Sequence, residues 1–323
     1  MKQKNTMARQ IDLSIVTTAK NEEGNVVEFL RRSLAAFKAL GIEGEIIFFD
    51  DASSDETYAM ACKFVDENAS SSIYVVKNPV QKGIVNAVIN GTMMARGKFV
   101  CFLPSDLESL PDDDVPILYA AMDQETDVVA GWRQGRADNK GKASAIYNYL
   151  NGLLFGVRLH DANWIKLVRR EKLQDLVLLS DWHSIFIGLL AVRGCRIKEV
   201  RTQWHSRKFG HSKFGARRFA HAIAAAISGK AYLKFGERPL LLFLEISAIC
   251  VIISFASAVT AALLQGSNVV LVVLSFSFLI LASISLSAGL SVEALRWGRL
   301  DTQIKLRDCD LESKLNNRSE NGK

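Results

Sequence analysis

Between Ile246 and Val292 the chain has no Asp, Glu, Lys or Arg, a gap of 47 residues in a protein of 323. Soluble helices of that length carry a polar face, so the gap disfavours a buried soluble hairpin. Cysteine is sparse. The five residues Cys62, Cys101, Cys195, Cys250 and Cys309 are scattered with no CxxC pair. That excludes a disulfide framework or a zinc site built on paired cysteines and fits a reducing compartment. The five histidines show no H-E-x-x-H spacing. His205 and His211 read as solvated loop residues. Neither GxGxxG nor GxxxxGK[ST] occurs, which disfavours a nicotinamide enzyme and a P-loop NTPase. No long basic stripe with exposed aromatics runs through the globular part, so nucleic acid is not an expected partner. The opening "MKQKNTMARQ" has no apolar core and does not read as a signal peptide.

What fills the charge-free stretch is apolar. A membrane-spanning helix needs about 20 apolar residues. Leu240–Leu264 and Val269–Val292 each satisfy that, with Gln265 to Asn268 as a tight turn. Glu245 lies near the start of the first span, within reach of the interface. Arg217, Arg218, Lys230, Lys234 and Arg238 precede the hairpin, and Arg296, Arg299, Lys305 and Arg307 follow it. The positive-inside rule then places both ends in the cytoplasm and the turn outside. The formal charge of +6 suits an anionic lipid surface and anionic substrates. The expected organisation is a cytoplasmic domain over 1–213, an amphipathic interfacial segment over 214–239, two transmembrane helices within 240–292, and a polar cytoplasmic tail over 293–323. Small residues such as Ser283, Ser287 and Ala288 would allow a homo-oligomer to pack in the membrane.

The first part alternates short apolar runs with helical patterns. "LSIVTTA", "EIIFFDDAS", "SIYVVKN", "KFVCFLP" and "TDVVAGWR" read as strands. Between them, apolar residues recur at helical spacing, as in Val26, Val27, Leu30, Leu34, Phe37 and Leu40. This order predicts an α/β fold with a Rossmann-like, mainly parallel open sheet. In such sheets ligands sit beyond the carboxyl ends of the strands. Those ends carry "KNEE", "DDASSDET", "PSDLES" and "GWRQGR": three acidic tips and one with arginine. Asp106 and Glu108, two apart on an extended segment, are placed to share one divalent cation. Such a cation takes one or two protein carboxylates and completes its shell with phosphates and water. Trp132, beside Arg133, is the one tryptophan placed to serve as a sugar platform. Asp112, Asp113 and Asp114 complement a helix N-terminus.

Six segments in this order carry a resemblance: "SIVTTAKNEEGNV", "FFDDASSDET", "KGIVNAVINGTMMARGKFVCFLPSDLE", "LHDANWIKLVRREKL", "RGCRIKEV" and "HSRKFGHSKFG". Together they resemble the family 2 glycosyltransferases with a GT-A fold, and more closely the branch of dolichol-phosphate mannose synthase and the polyprenyl-phosphate glycosyltransferases. The resemblance implies that Glu22 and Asp51, with Asp50, bind the nucleoside. It makes Asp106 the holder of a Mg2+ or Mn2+ ion that bridges the diphosphate, with Glu108 as second ligand. Arg133 and Lys140 would contact phosphates. Arg207, Ser212 and Lys213 would close over donor and lipid phosphate. Asp161 would support the loop around Asn163 and Trp164. The implied partners are a nucleotide diphosphate sugar, an undecaprenyl or dolichyl phosphate, and the bilayer.

The chain departs from that pattern twice. The family's metal segment is usually Asp-x-Asp, and here the first position is Pro104. Many members also carry an acid in the helix before "RGCRIKEV", where this chain has Ser184 and Ile185, with Asp181 a turn earlier. The expected function is metal-dependent transfer of a sugar to a polyprenyl phosphate at the cytoplasmic face. The alternatives are a membrane-tethered, non-catalytic binding or scaffold protein of the same fold, and a processive polysaccharide synthase. The last class has a Q-x-x-R-W motif and more spans than this chain offers.

Overall fold

The computed structural model describes residues 10–135, 141–161, 163–174, 185–207, 209, 216–236, 238–264 and 268–320, with the backbone alone for 141–147, 216–220 and 297–320. The chain divides into two compact units, Met1–Gly229 and Lys230–Lys323.

The first unit is built on a sheet of seven strands, β1 (Leu13–Ala19), β2 (Gly44–Asp50), β3 (Ser72–Lys77), β4 (Phe99–Phe102), β5 (Val128–Gln134), β6 (Lys166–Arg169) and β7 (Ile197–Gln203). Their order is β3-β2-β1-β4-β6-β5-β7. All are parallel except β6, which runs against β4 on one side and β5 on the other. The carboxyl ends of β1, β2, β4 and β5 therefore share one rim. The strands at the centre are apolar on both faces because helices cover both. Residues of β1, such as Leu13, Ile15 and Val16, are all but fully buried.

The helices α1 (Val26–Leu40), α2 (Thr57–Glu67), α3 (Gly83–Met94), α4 (Pro111–Ala120), α5 (Gly141–Phe155), α6 (Phe186–Val192) and α7 (Ala216–Phe235) complete the layers, α7 running on into the second unit. On α1 the buried residues Val26, Phe29, Leu30, Ser33, Ala36 and Phe37 form one stripe, the three-four spacing of a helix packed on a sheet. Gly91 of α3 lets that helix lie directly on β1: a Cβ there would stand 2.3 Å from a methyl of Val16.

The ladder between β1 and β4 stops where it must. Leu103 donates its N–H to Val16 O at 3.3 Å. Pro104 then has no N–H to give. The chain is held instead by side chains of β1 and the turn. Thr17 Oγ1 donates to Leu103 O at 2.8 Å, and Ser105 Oγ donates to Thr18 O at 3.1 Å. Pro104 thus marks the point where β4 ends and the acidic turn begins.

The second unit contains α8 (Pro239–Leu263) and α9 (Val269–Glu320). Both are long and apolar enough to cross a membrane, over Pro239–Leu263 and Val269–Arg296, with mean hydropathies of 2.4 and 2.7. They are joined by hydroxyl groups bonding across the hairpin. Ser254 Oγ donates to Ser275 O at 2.8 Å, Ser247 Oγ to Ala282 O at 3.1 Å and Ser285 Oγ to Phe243 O at 3.1 Å. Small residues and hydroxyls are the usual contact chemistry where apolar side chains gain nothing by leaving lipid. Ser283 and Ser287 are exposed, away from that contact face. Glu245 pairs with Lys234 at 3.1 Å.

Candidate active site

Three non-glycine residues among those described have positive φ: Asn21 at 58°, Ala52 at 58° and Leu107 at 57°. They follow β1, β2 and β4, one in each rim loop, and Gly135 at 76° follows β5. The left-handed conformation costs a residue with a Cβ about 1–2 kcal/mol, and such strain collects where side chains must be aimed. Nothing in the residue types Ala52 and Leu107 announces it.

The turn after β4 shows what the strain achieves. Leu107 is buried, which anchors the turn. Asp106 Oδ1 accepts the N–H of Glu108 at 3.1 Å, a local bond that Asp side chains readily make. The two carboxylates then converge on one cationic group, the guanidinium of Arg207. Its Nη2 donates to Asp106 Oδ2, and its Nε donates to Glu108 Oε1 at 2.8 Å. Arg133 Nη1 stands 3.6 Å from Glu108 Oε2. Burial pushes the Asp106 carboxyl above the ordinary carboxylate range, and Arg207 pulls it back. Burial lowers Arg207, but the two acids raise it further, so its charge is secure.

Both acids already share one cation, so the pair fits a divalent metal ion. No group of three or more His, Cys, Asp or Glu side chains able to hold a metal occurs among the described residues. Such an ion takes only one or two protein carboxylates and completes its shell with other oxygen donors, so this pair would suffice to hold one.

Arg133 is held from behind. Asp161 receives its Nε at 2.8 Å, its Nη2 at 3.2 Å and its backbone N–H at 3.3 Å. Asn163 Nδ2 adds a bond to the same carboxylate at 2.9 Å. Glu199 on β7 fixes this turn by accepting the N–H groups of His160 at 2.9 Å and Asp161 at 3.0 Å. Below it Lys166, almost fully buried, donates to the carbonyl of Asn163 and lies over the rings of Trp164 and Phe186. Burial brings that ammonium down to about 7, with Asp161 opposing. The sequence pattern missed Glu199, Lys166 and the grip of Asp161 on Arg133. The Asp161-x-Asn163 spacing was the available signal for a side-chain-stapled turn.

Trp132 has at least one face occupied. The imidazole of His160 stacks on it with centroids 4.0 Å apart, and Arg201 lies 5.4 Å from its ring.

The loops after β1 and β2 are stitched together. Asn21 N–H donates to Ser53 Oγ at 3.0 Å, and Ser54 N–H to Asn21 Oδ1 at 2.9 Å. Glu22 lies in the loop before α1 and accepts Asn25 Nδ2 at 2.6 Å. Asp51 accepts the N–H groups of Lys82 at 2.7 Å and Gly83 at 3.0 Å, and Asn78 Nδ2 at 3.1 Å. It therefore caps α3. Asp50 is fully buried, and its Oδ1 has no hydrogen-bond partner among the described residues, an acceptor of the kind a bound base or ribose would satisfy. The structure thus gathers Glu22, Asp50, Asp51, Asp106, Glu108, Arg133 and Arg207 along one rim. Lys140, Ser212 and Lys213, together with Asp181 and Ser184, lie outside the described residues.

The sheet and its covering helices belong to a class seen in solved structures. Glucosyl-3-phosphoglycerate synthase from Mycobacterium tuberculosis, crystallised with Mn2+, UDP-glucose and phosphoglyceric acid, superposes with a TM-score of 0.52 over 68% of this chain and 80% of that one, at 19% identity. The likeness is one of fold, the GT-A fold of nucleotide-sugar enzymes. The family model for glycosyl transferase family 2 matches residues 14–193, more than half of the chain, and the chain belongs to that family. The dodecaprenyl-phosphate galacturonate synthase of Rhizobium johnstonii is 29% identical over 242 residues, 73% of this chain and 71% of that protein. The undecaprenyl-phosphate 4-deoxy-4-formamido-L-arabinose transferase of Enterobacter sp. (strain 638) is 31% identical over 214 residues. That match spans 65% of each protein, just under two thirds of the transferase's length.

Proposed function

We propose that this glycosyltransferase moves a sugar from a nucleotide diphosphate sugar to a polyprenyl phosphate at the cytoplasmic face of a membrane, using Mg2+ or Mn2+. The observation that carries the reading is the convergence of Asp106 and Glu108 on one cation at the end of β4, with Arg133 alongside. The names of the two relatives, both acting on polyprenyl phosphates, support the acceptor class. Bound there, a divalent cation supplies charge stabilisation to the departing diphosphate. Asp106 and Glu108 would hold it. Asp50, with Glu22 and Asp51 beside it, would receive the nucleoside. Arg133 is aimed at the rim by Asp161 for phosphate, and Arg207, Lys140, Ser212 and Lys213 would add donors for the donor and lipid phosphates.

The acceptor explains why no acid stands at Ser184 or Ile185. A sugar hydroxyl profits from a general base by about a hundredfold to ten-thousandfold. A lipid phosphate monoester has a second pKa near 6, so at neutral pH it is already a nucleophilic anion. It requires positive charge to align it and no proton removed. The decisive assay offers the full chain in detergent a panel of nucleotide sugars with polyprenyl phosphate or the matching polyprenol, with Mn2+ or with EDTA. Product is expected only with the phosphate and the metal. Efficient transfer to the polyprenol overturns the acceptor assignment. Undiminished turnover in EDTA overturns the metal.

The charge flanks and the two long apolar helices support a hairpin with both flanking segments on the cytoplasmic side. Cysteines introduced by Ser267→Cys and Ser319→Cys test this. Only the first is expected to react with an impermeant maleimide added to intact cells, and outside labelling at position 319 would reverse the topology.

A further inference from the structure

The guanidinium of Arg207 occupies the place that the metal reading gives to a cation. It holds Asp106 Oδ2 and Glu108 Oε1 at once. The segment that carries it is pinned on both sides. Trp204 N–H donates to Gln134 O at 3.0 Å and His205 N–H to Glu108 O at 3.0 Å, tying it to the ends of β5 and the acidic turn. Beyond Arg207, the ring of Phe209 lies so close to Gly24 that a Cβ there would meet it at 2.6 Å. The segment thus straps the rim from β7 across the turn after β4 to the loop after β1.

We propose that Arg207 is a built-in competitor of the divalent cation and makes metal entry depend on the nucleotide diphosphate. This rests on the metal-dependent reading above. Arg207 and the ion would draw on the same two carboxylates, and two cations held against one pair repel each other, so each weakens the hold on the other. Arginine does not lose its proton in proteins, so a second anion, and not deprotonation, is what draws it away from the pair. The diphosphate is such an anion: it brings oxygens for the ion and a bidentate partner for the planar guanidinium that it frees. Donor and metal then favour each other's binding, since any such coupling is reciprocal. In the absence of donor the strap keeps the acidic turn neutralised in most molecules and weakens its hold on the ion.

The probe is Mn2+ alone, titrated into the full chain in detergent and followed by the electron spin resonance signal of the free ion. An apparent affinity falls by the fraction of molecules whose site is open, so a latch closed in about nine molecules of ten weakens binding about tenfold. Arg207→Gln is therefore expected to bind one Mn2+ about tenfold more tightly than the parent, and adding Asp106→Asn is expected to cancel the gain. Phe209→Ser keeps every charge and loosens the strap, so it is expected to shift affinity the same way by less, and it carries the test should Arg207→Gln fail to fold. Equal Mn2+ affinity in parent and variants, or a gain that survives Asp106→Asn, overturns the latch while metal-dependent turnover stands. Turnover that persists in EDTA removes the metal reading itself, and the latch with it.

Discussion

Asp106→Ala is expected to abolish metal-dependent sugar transfer, a fall in kcat/KM of about a thousandfold or more, equivalent to about 4 kcal/mol of transition-state stabilisation. Asp106 is the more buried of the two acids that converge at the end of β4. A cation bound in a site shielded from water interacts far more strongly with a carboxylate than one in solution. Glu108→Ala is expected to lose less, and excess metal should restore part of it, because the remaining carboxylate still anchors the ion. Asp106 also accepts the Glu108 N–H that closes the turn, so loss of activity in the alanine variant could arise from a disordered turn. Asp106→Asn separates the two causes. Its amide oxygen still accepts that N–H while its charge is gone, so it is expected to fold like the parent and remain as inactive as the alanine variant. Steady-state kinetics across a metal titration decide the matter. Full activity of Asp106→Ala in chelator-treated protein would sink the assignment.

Much of this arrangement can be read from the chain before folding. The strands β1, β2 and β4 are largely apolar runs because each is covered on both faces, and their acidic tips, with the arginine-bearing tip of β5, fall on one rim because parallel strands all end there. The hairpin is legible from the 47 residues without charge. Other features are hidden for physical reasons. β7 is an edge strand with mostly half-exposed residues, so "IKEVRTQ" carries no apolar signature. β6 is only four residues long and begins with Lys166, a buried lysine that argues against a strand interior until its carbonyl partner is known. The left-handed turns at Ala52 and Leu107 leave no trace in residue type, because the surrounding packing imposes them. Arg207 was legible as a phosphate-loop arginine. Its position on Asp106 and Glu108, a hundred residues away in sequence, depends on β7 lying where it does.

Asp161→Ala is expected to lower the thermal midpoint of the first unit, Met1–Gly229, by about 10 °C, read through tryptophan fluorescence in the full chain. Four of the five tryptophans, Trp132, Trp164, Trp182 and Trp204, lie in that unit. The side chains of Arg133 and Asp161 are only 15% and 11% exposed. Removing one partner of a buried pair leaves the other charge without compensation, at a cost of about 3–5 kcal/mol, and in a domain of this size each kcal/mol moves the midpoint by about 2–4 °C. Replacing both residues, Arg133→Met with Asp161→Ala, should recover most of the loss, since no orphan charge remains. Activity should not return in the double variant if Arg133 serves phosphate. The pH dependence supplies an independent check. Burial alone would raise the Asp161 carboxyl, but the Arg133 bonds and charge outweigh it and hold it below the ordinary value. A carboxyl with a depressed folded-state pKa contributes stability that is present above its unfolded value near 4 and is lost as pH falls through the folded value. The gap between parent and Asp161→Ala should therefore be full at pH 7 and narrow below about pH 4. A gap that is small at pH 7, or unchanged at pH 3, would mean that Asp161 does not hold Arg133 by charge, and the aim of Arg133 at the rim would need another cause.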